Sequence, residues 1–129
     1  AAAQAAADAA AAAAAAQAAA DALAAASTPD GARSLGAQLA ASQYGWGDDQ
    51  FQCLDSLWTK ESGWNYQAEN ASSGAFGIPQ SLPGSKMSSI ADDWATNPGT
   101  QITWGLDYIA RAYGTPCSAW SHSQSVNWY

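Results

Sequence analysis

Along this chain the apolar positions fall into a helical period three times, after an opening run that is nearly all alanine. That run is a repeat: AAAQAAADAAAAA (Ala1–Ala13) is followed by AAAQAAADALAAA (Ala14–Ala26), the two differing only at Ala10 and Leu23. Alanine is the strongest helix former, and Gln4/Asp8 and Gln17/Asp21 are i,i+4 pairs that face each other on a helix. The spacing predicts one continuous helix of about 40 Å. Ser27-Thr28-Pro29-Asp30-Gly31 then breaks the run, with Thr28 able to cap, Pro29 at the first helical position and Asp30 in the first turn. Ala32, Leu35 and Leu39 give the second helix its apolar side, and it ends near Gly45. Asp49 with Gln52 has the form of a capping box for a third helix, which carries Cys53, Leu54, Leu57, Trp58 and Glu61.

From Gly63 to about Ser89 the period disappears and Gly, Ser, Asn and Pro dominate. A short β-hairpin or extended loops are expected there, followed by a turn at Pro83-Gly84-Ser85. Asp92-Asp93-Trp94 suggests a helical turn, and Asn97 then caps a helix with Pro98 at its first position. Ile102, Leu106, Ile109 and Tyr113 form the stripe of that helix, Asp107 lies off it and Gly114 ends it. The closing run SAWSHSQSVNWY is aromatic and polar with almost no charge.

Composition narrows the function classes. All seven Trp, five Tyr and two Phe lie between Tyr44 and Tyr129, so the 48% hydrophobic content overstates what can form a core. One small domain over residues 28–129 is expected, with residues 1–27 as a separate Ala-rich helical segment. That segment reads as a solvated spacer; a stalk, or a helix packing on a partner, are the functional alternatives. It has no basic n-region and little Leu, Ile or Val, which argues against an intact signal peptide and against a membrane span. The net charge is −7, and the only basic residues, Arg33, Lys60, Lys86 and Arg111, form no run. Nucleic acid and anionic membrane surfaces are therefore unsuitable partners. Cys53 and Cys117 are the only cysteines, and they show no metal-ligand spacing. They are either a disulfide staple or two buried thiols.

The chemistry centres on Glu61. Leu54, Leu57 and Trp58 precede it by seven, four and three residues, which puts a carboxylate on an apolar helix face. Such a group is costly to ionise, so its pKa rises and it can hold a proton for general acid work. A structural carboxylate tethered by Lys60 or by backbone N–H groups is the plainer alternative. The neighbouring residues favour the acid: Glu61-Ser62 stands at a helix end, with Asn65 and then Gly74-Ala75-Phe76-Gly77-Ile78-Pro79-Gln80 downstream.

This ordered pattern resembles the catalytic domain of lytic transglycosylases and goose-type lysozymes, closest to small secreted actinobacterial members. The likeness extends from about Ser27 to Tyr129, with Tyr66 standing where Pro is common and Pro79 where Met is common. The resemblance implies a mainly α, lysozyme-like α+β domain, with a small irregular or β-hairpin segment after the catalytic helix. It implies Glu61 as the acid, and Ser62, Asn65, Gly77, Ile78 and Gln80 as cleft residues. Ala119-Trp120-Ser121 occupies the place where many members carry Ala-Tyr-Asn, so Trp120 joins that set as a ring for stacking on a sugar. Lys86 and Met87 are further wall residues on this reading, or a solvated Lys and a core Met. His122, the only histidine, reads as a hydrogen-bonded structural residue.

With the small core, the resemblance also favours a Cys53–Cys117 disulfide and an extracellular, wall-associated location. The expected activity is cleavage of the bond between N-acetylmuramic acid and N-acetylglucosamine in peptidoglycan strands, leaving 1,6-anhydromuramyl ends. It needs one Glu, no metal and no cofactor. The alternatives are a muramidase using water and a second carboxylate, for which Glu69, Asp92 and Asp93 are candidates, and a non-catalytic wall-binding module on an Ala-rich stalk.

Overall fold

A computed structural model describes all 129 residues. Five α-helices and one 3-10 helix account for 68% of the chain. In order they are α1 (Ala2–Ala26), α2 (Pro29–Tyr44), α3 (Asp48–Ser62), the 3-10 helix Gly84–Ser89, α4 (Pro98–Ala112) and α5 (Pro116–Val126).

Three of the four α-helices after α1 begin with the same device. Thr28, Asn97 and Thr115 are extended residues whose side chains accept a backbone N–H of the first turn, each followed by Pro at the first helical position. The proline costs nothing there because its missing N–H would have had no intrahelical partner. The exception is α3, which starts after Gly47 with no side-chain cap. The capping box expected at Asp49 and Gln52 does not form, because Asp48 and Asp49 already lie in the first turn, where they oppose the positive end of the helix dipole. At its other end α3 stops at Gly63 in the left-handed region (φ 62°), whose N–H returns to Thr59 O at 3.0 Å. Glu61 is thereby fixed in the last turn.

The core is a single cluster fed by all four α-helices of residues 28–129. Ala32 and Ala40 come from α2, Leu54, Leu57 and Trp58 from α3, Ile102, Leu106 and Ile109 from α4, and Ala119 from α5. The stripes read from the sequence for α3 and α4 supply these buried residues, while Leu35, Leu39 and Tyr113 are partly buried against the cluster. Met87, on the 3-10 helix, is also fully buried and so belongs to the interior rather than to a cleft wall. α5 lies along α3, clamped by the Cys53–Cys117 disulfide across 64 residues of chain.

No β-strand forms between α3 and the 3-10 helix, so the expected hairpin is corrected to an irregular loop held by two isolated bridges, Glu69–Phe76 and Phe76–Ser81. Local hydrogen bonds displace a ladder there. Asn70 Oδ1 accepts from Ser72 N (2.9 Å) and Ser73 N (3.1 Å), and Gly74, Gly77 and Gln80 all take positive φ. Each turn ends the pairing after one residue.

The N-terminal helix also requires a correction. α1 runs for 25 residues, about 37 Å, and is long and apolar enough to cross a membrane by length and composition. The expectation of no membrane span is overturned on this point. Alanine contributes little apolarity per residue, but in 25 residues only Asp8 and Asp21 are charged. Signal sequences meet the same criterion. The idea of a helix packing on a partner gains no support either. Its one buried residue is Ala26, and the helix's contacts are with the chain's own α2 and α4.

Candidate active site

Glu61 stands where the polar side of α3 meets its apolar side. Leu54, Leu57 and Trp58 are fully buried, and Glu61 is half-buried beside them. Burial raises its carboxyl above the usual range, and the neighbouring Lys60 ammonium only partly offsets that. Lys60 does not pair with Glu61. Its Nζ donates to Ser123 O (3.1 Å) and Ser123 Oγ (2.9 Å) on α5. The three ion pairs of the molecule join Arg33 to Asp30 and Asp55, and Arg111 to Asp107, so none involves Glu61. A carboxyl whose ionisation burial disfavours, and that no protein group holds, is available to a ligand.

Glu61 opens onto a depression of about 210 Å³ that it shares with Asn70, Ser73, Ala75, Gln80, Leu82, Asn127, Trp128 and Tyr129. Gln80, Leu82 and Tyr129 also line a second depression of about 230 Å³, which continues along Pro79, Ser81, Lys86, Trp104 and Tyr108. Lys86, Trp104 and Tyr108 in turn line a third, with Ser89 and Arg111. The shared walls make one open groove running away from Glu61. Exposed apolar side chains line it at the Glu61 end: Trp128 is 60% and Leu82 51% exposed. Glu61 is the only side-chain carboxylate lining any part of it. Glu69 and Asp92 are exposed on the surface. Asp93 accepts hydrogen bonds from Asn97 Nδ2 (2.8 Å) and Thr100 Oγ1 (2.7 Å), which hold it below the usual carboxylate range and tie it to the start of α4.

The other residues expected at the site divide into lining and framework. Gln80 lines the groove, with φ of 56°. Its Nε2 donates to Ala68 O (3.1 Å) and Gly77 O (2.9 Å), so both amide protons are committed and the amide oxygen is the group left for a ligand. Ser62 Oγ donates to Ile78 O at 2.7 Å and so ties the end of α3 to the loop. Ile78 is fully buried, and its N–H donates to Gln101 Oε1 at 2.9 Å. Asn65 Oδ1 accepts from Gln67 N at 3.0 Å, which shapes a local turn. Asn65, Gly77, Ile78 and Trp120 do not line the groove. Trp120 lies on α5 with Lys60 Nζ 5.9 Å from its ring centre.

Gly77 is placed by the buried Gln101, whose Nε2 also donates to Tyr66 O (3.0 Å) and Trp94 O (2.9 Å). A Cβ on Gly77 would sit 2.5 Å from Gln101 Oε1, and φ there is 82°. Gly77→Ala is therefore expected to cost about 2–3 kcal/mol, from left-handed strain and overpacking. Urea unfolding measures it, and a loss under about 0.5 kcal/mol would contradict this packing.

Sequence reasoning missed the C-terminal residues. Asn127 ends α5 in the left-handed region (φ 63°), and the reversal brings Trp128 and Tyr129 back beside Glu61. Tyr129 Oη accepts from Trp58 Nε1 and donates to Pro79 O, both at 2.8 Å. One hydroxyl thus joins α3, the Gly77–Gln80 loop and the C-terminal segment beside Glu61. Burial pushes the Tyr129 phenol well above its usual range, and the nearby Glu61 charge pushes it further. Tyr129→Phe leaves the buried Trp58 N–H and the Pro79 carbonyl without that partner, an expected loss of about 1–3 kcal/mol by thermal or urea unfolding. Unchanged stability would show that this bridge carries no weight. His122 packs edge-on against Trp128 with ring centres 4.4 Å apart. The expected hydrogen bond is missing at Nε2, which is buried without a partner.

Comparison with family models, with curated proteins and with solved structures gave no match in any of the three.

Proposed function

We propose that this chain is a peptidoglycan lytic transglycosylase with a lysozyme-like domain, in which Glu61 is both the acid and the base. The observation that carries the reading is a half-buried carboxyl with a raised pKa, free of any ion pair, on a groove with no second carboxylate. The ordered Glu61-Ser62, Asn65 and Gly74–Gln80 pattern supports it independently.

An open groove with exposed apolar side chains suits a polymer that passes through rather than a small molecule that is enclosed. Trp128 and Leu82 offer surfaces to the apolar faces of pyranose rings. Gln80 Oε1 offers an acceptor to a hydroxyl or an acetamido N–H. In the reaction, protonated Glu61 gives its proton to the oxygen linking muramyl C1 to the next N-acetylglucosamine, and the C1–O bond breaks. The same carboxylate then takes the proton of the muramyl C6 hydroxyl as its oxygen bonds to C1. The chain ends as a 1,6-anhydromuramyl sugar, the leaving sugar gains a hydroxyl, and Glu61 returns to its acid form. No water is consumed. Hydrolysis asks for a base to activate water from another position, and the lining offers no side-chain carboxylate for it.

The substrate lies outside the cytoplasmic membrane, which accords with an apolar N-terminal helix and a disulfide. Incubation of the oxidised protein with purified peptidoglycan tests the reading. Soluble muropeptides are expected; none, from a folded sample, would leave only a wall-binding role.

A further inference from the structure

The far end of the groove carries a charge that the chemistry at Glu61 does not use. Three of the four cationic side chains are committed within the protein. Arg33 is bonded to Asp30 and Asp55, Lys60 to Ser123, and Arg111 to Asp107. Lys86 is the exception. It is exposed on the 3-10 helix, pairs with no carboxylate, and lines both the second and third parts of the groove. The lining it shares there is aromatic: Tyr108 stacks on the buried Trp104 with ring centres 5.2 Å apart and planes inclined by 7°. Tyr129 packs edge-on against the same tyrosine, linking that lining to the Glu61 end.

On a chain of net charge −7, an uncommitted ammonium in a ligand groove without a carboxylate beside it is a local inversion of sign. A neutral glycan has no use for it. We infer that Lys86, with Tyr108 on its stacked support, forms a subsite for a carboxylate carried by the saccharide, and that this subsite makes the groove prefer acidic over neutral glycans. The inference rests on the glycan reading of the groove and adds to it a determinant remote from the acid. The carboxylate has two possible sources, the lactyl group of a bare muramic acid or the stem peptide attached to it.

The test uses the full chain carrying Glu61→Gln, so that ligands bind without turnover. Three tetrasaccharides are titrated by calorimetry: chitotetraose, the alternating N-acetylglucosamine–muramic acid form without peptide, and its peptide-bearing form. The affinity ratio of acidic to neutral ligand is expected to exceed one and to fall about 3- to 5-fold on Lys86→Met, the range of a solvent-exposed ion pair. It should also fall as salt is raised from about 0.05 to 0.5 M. The acidic ligand whose ratio responds identifies the source of the carboxylate. If neither ratio moves on Lys86→Met while all three ligands bind, the subsite is overturned and the glycan reading stands. If no tetrasaccharide binds, both fall together.

Discussion

Glu61→Gln is expected to lower kcat on peptidoglycan by at least about 10²–10⁴-fold, the usual contribution of a general acid–base group. The protein should remain folded. Gln matches Glu in shape, but its amide can neither give a proton to the glycosidic oxygen nor take one from the C6 hydroxyl. Because both halves of the proposed reaction pass through one carboxyl, no second group is placed to rescue either half. Activity within ten-fold of the parent would remove Glu61 from the chemistry.

The same substitution has a second readout that does not depend on substrate. Burial raises the Glu61 pKa in the folded protein, so the folded state holds this proton over a range where the unfolded chain has released it. The stability contributed by protonated Glu61 is complete below the unfolded pKa and is lost as pH climbs through the raised folded value. Gln carries no charge at any pH and avoids that loss. Glu61→Gln should therefore melt higher than the parent at pH 7, with the difference closing toward pH 4. A variant that is less stable at neutral pH would mean that the carboxylate has a favourable partner. The pH–rate profile should show the matching limb, with activity falling on the alkaline side as Glu61 loses its proton.

Removing the Cys53–Cys117 bridge is the largest stability change expected. The cross-link spans 64 residues, and the chain-entropy relation gives about 4 kcal/mol for a loop of that length. For roughly 100 residues of domain this lowers the melting midpoint by about 15–30 °C. The bridge joins the middle of α3 to the first turn of α5, where Cys117 N also donates to Gln50 Oε1 at 3.0 Å. α5 leads directly to Asn127, Trp128 and Tyr129, so loosening it also opens the Glu61 end of the groove. Thermal melts of the Cys53→Ser/Cys117→Ser double variant measure the effect. A shift under about 3 °C would show that packing between α3 and α5 alone holds these helices.

The features legible in the sequence are those set by local periods and caps. Glu61 stands out because offsets of three, four and seven residues define a helix face whatever the rest of the chain does. α2 and α4 are legible from Thr28-Pro29 and Asn97-Pro98 with the stripes behind them. α5 carries the same signature at Thr115-Pro116, but its single buried stripe of small residues, Ala119 and Ser123, gives almost no apolar period. The loop after α3 contains alternating and turn residues that read equally as a hairpin. Only the partners of Asn70, Gly77 and Gln80 decide against a ladder. Trp120 and Trp128 illustrate the limit most clearly. Both are aromatic residues near the C-terminus, and which of them faces Glu61 depends on the left-handed turn at Asn127. Tyr129 finds its partners at Trp58 and Pro79, 71 and 50 residues away, and no short-range pattern encodes such a contact.

The most direct measurement is mass spectrometry of the soluble fragments released from purified peptidoglycan. Transglycosylation by a single Glu predicts muropeptides ending in 1,6-anhydromuramic acid, each lighter by one water than its hydrolytic counterpart. Reducing muramic ends in their place would contradict it, and would require a base for water that no side-chain carboxylate of this groove supplies.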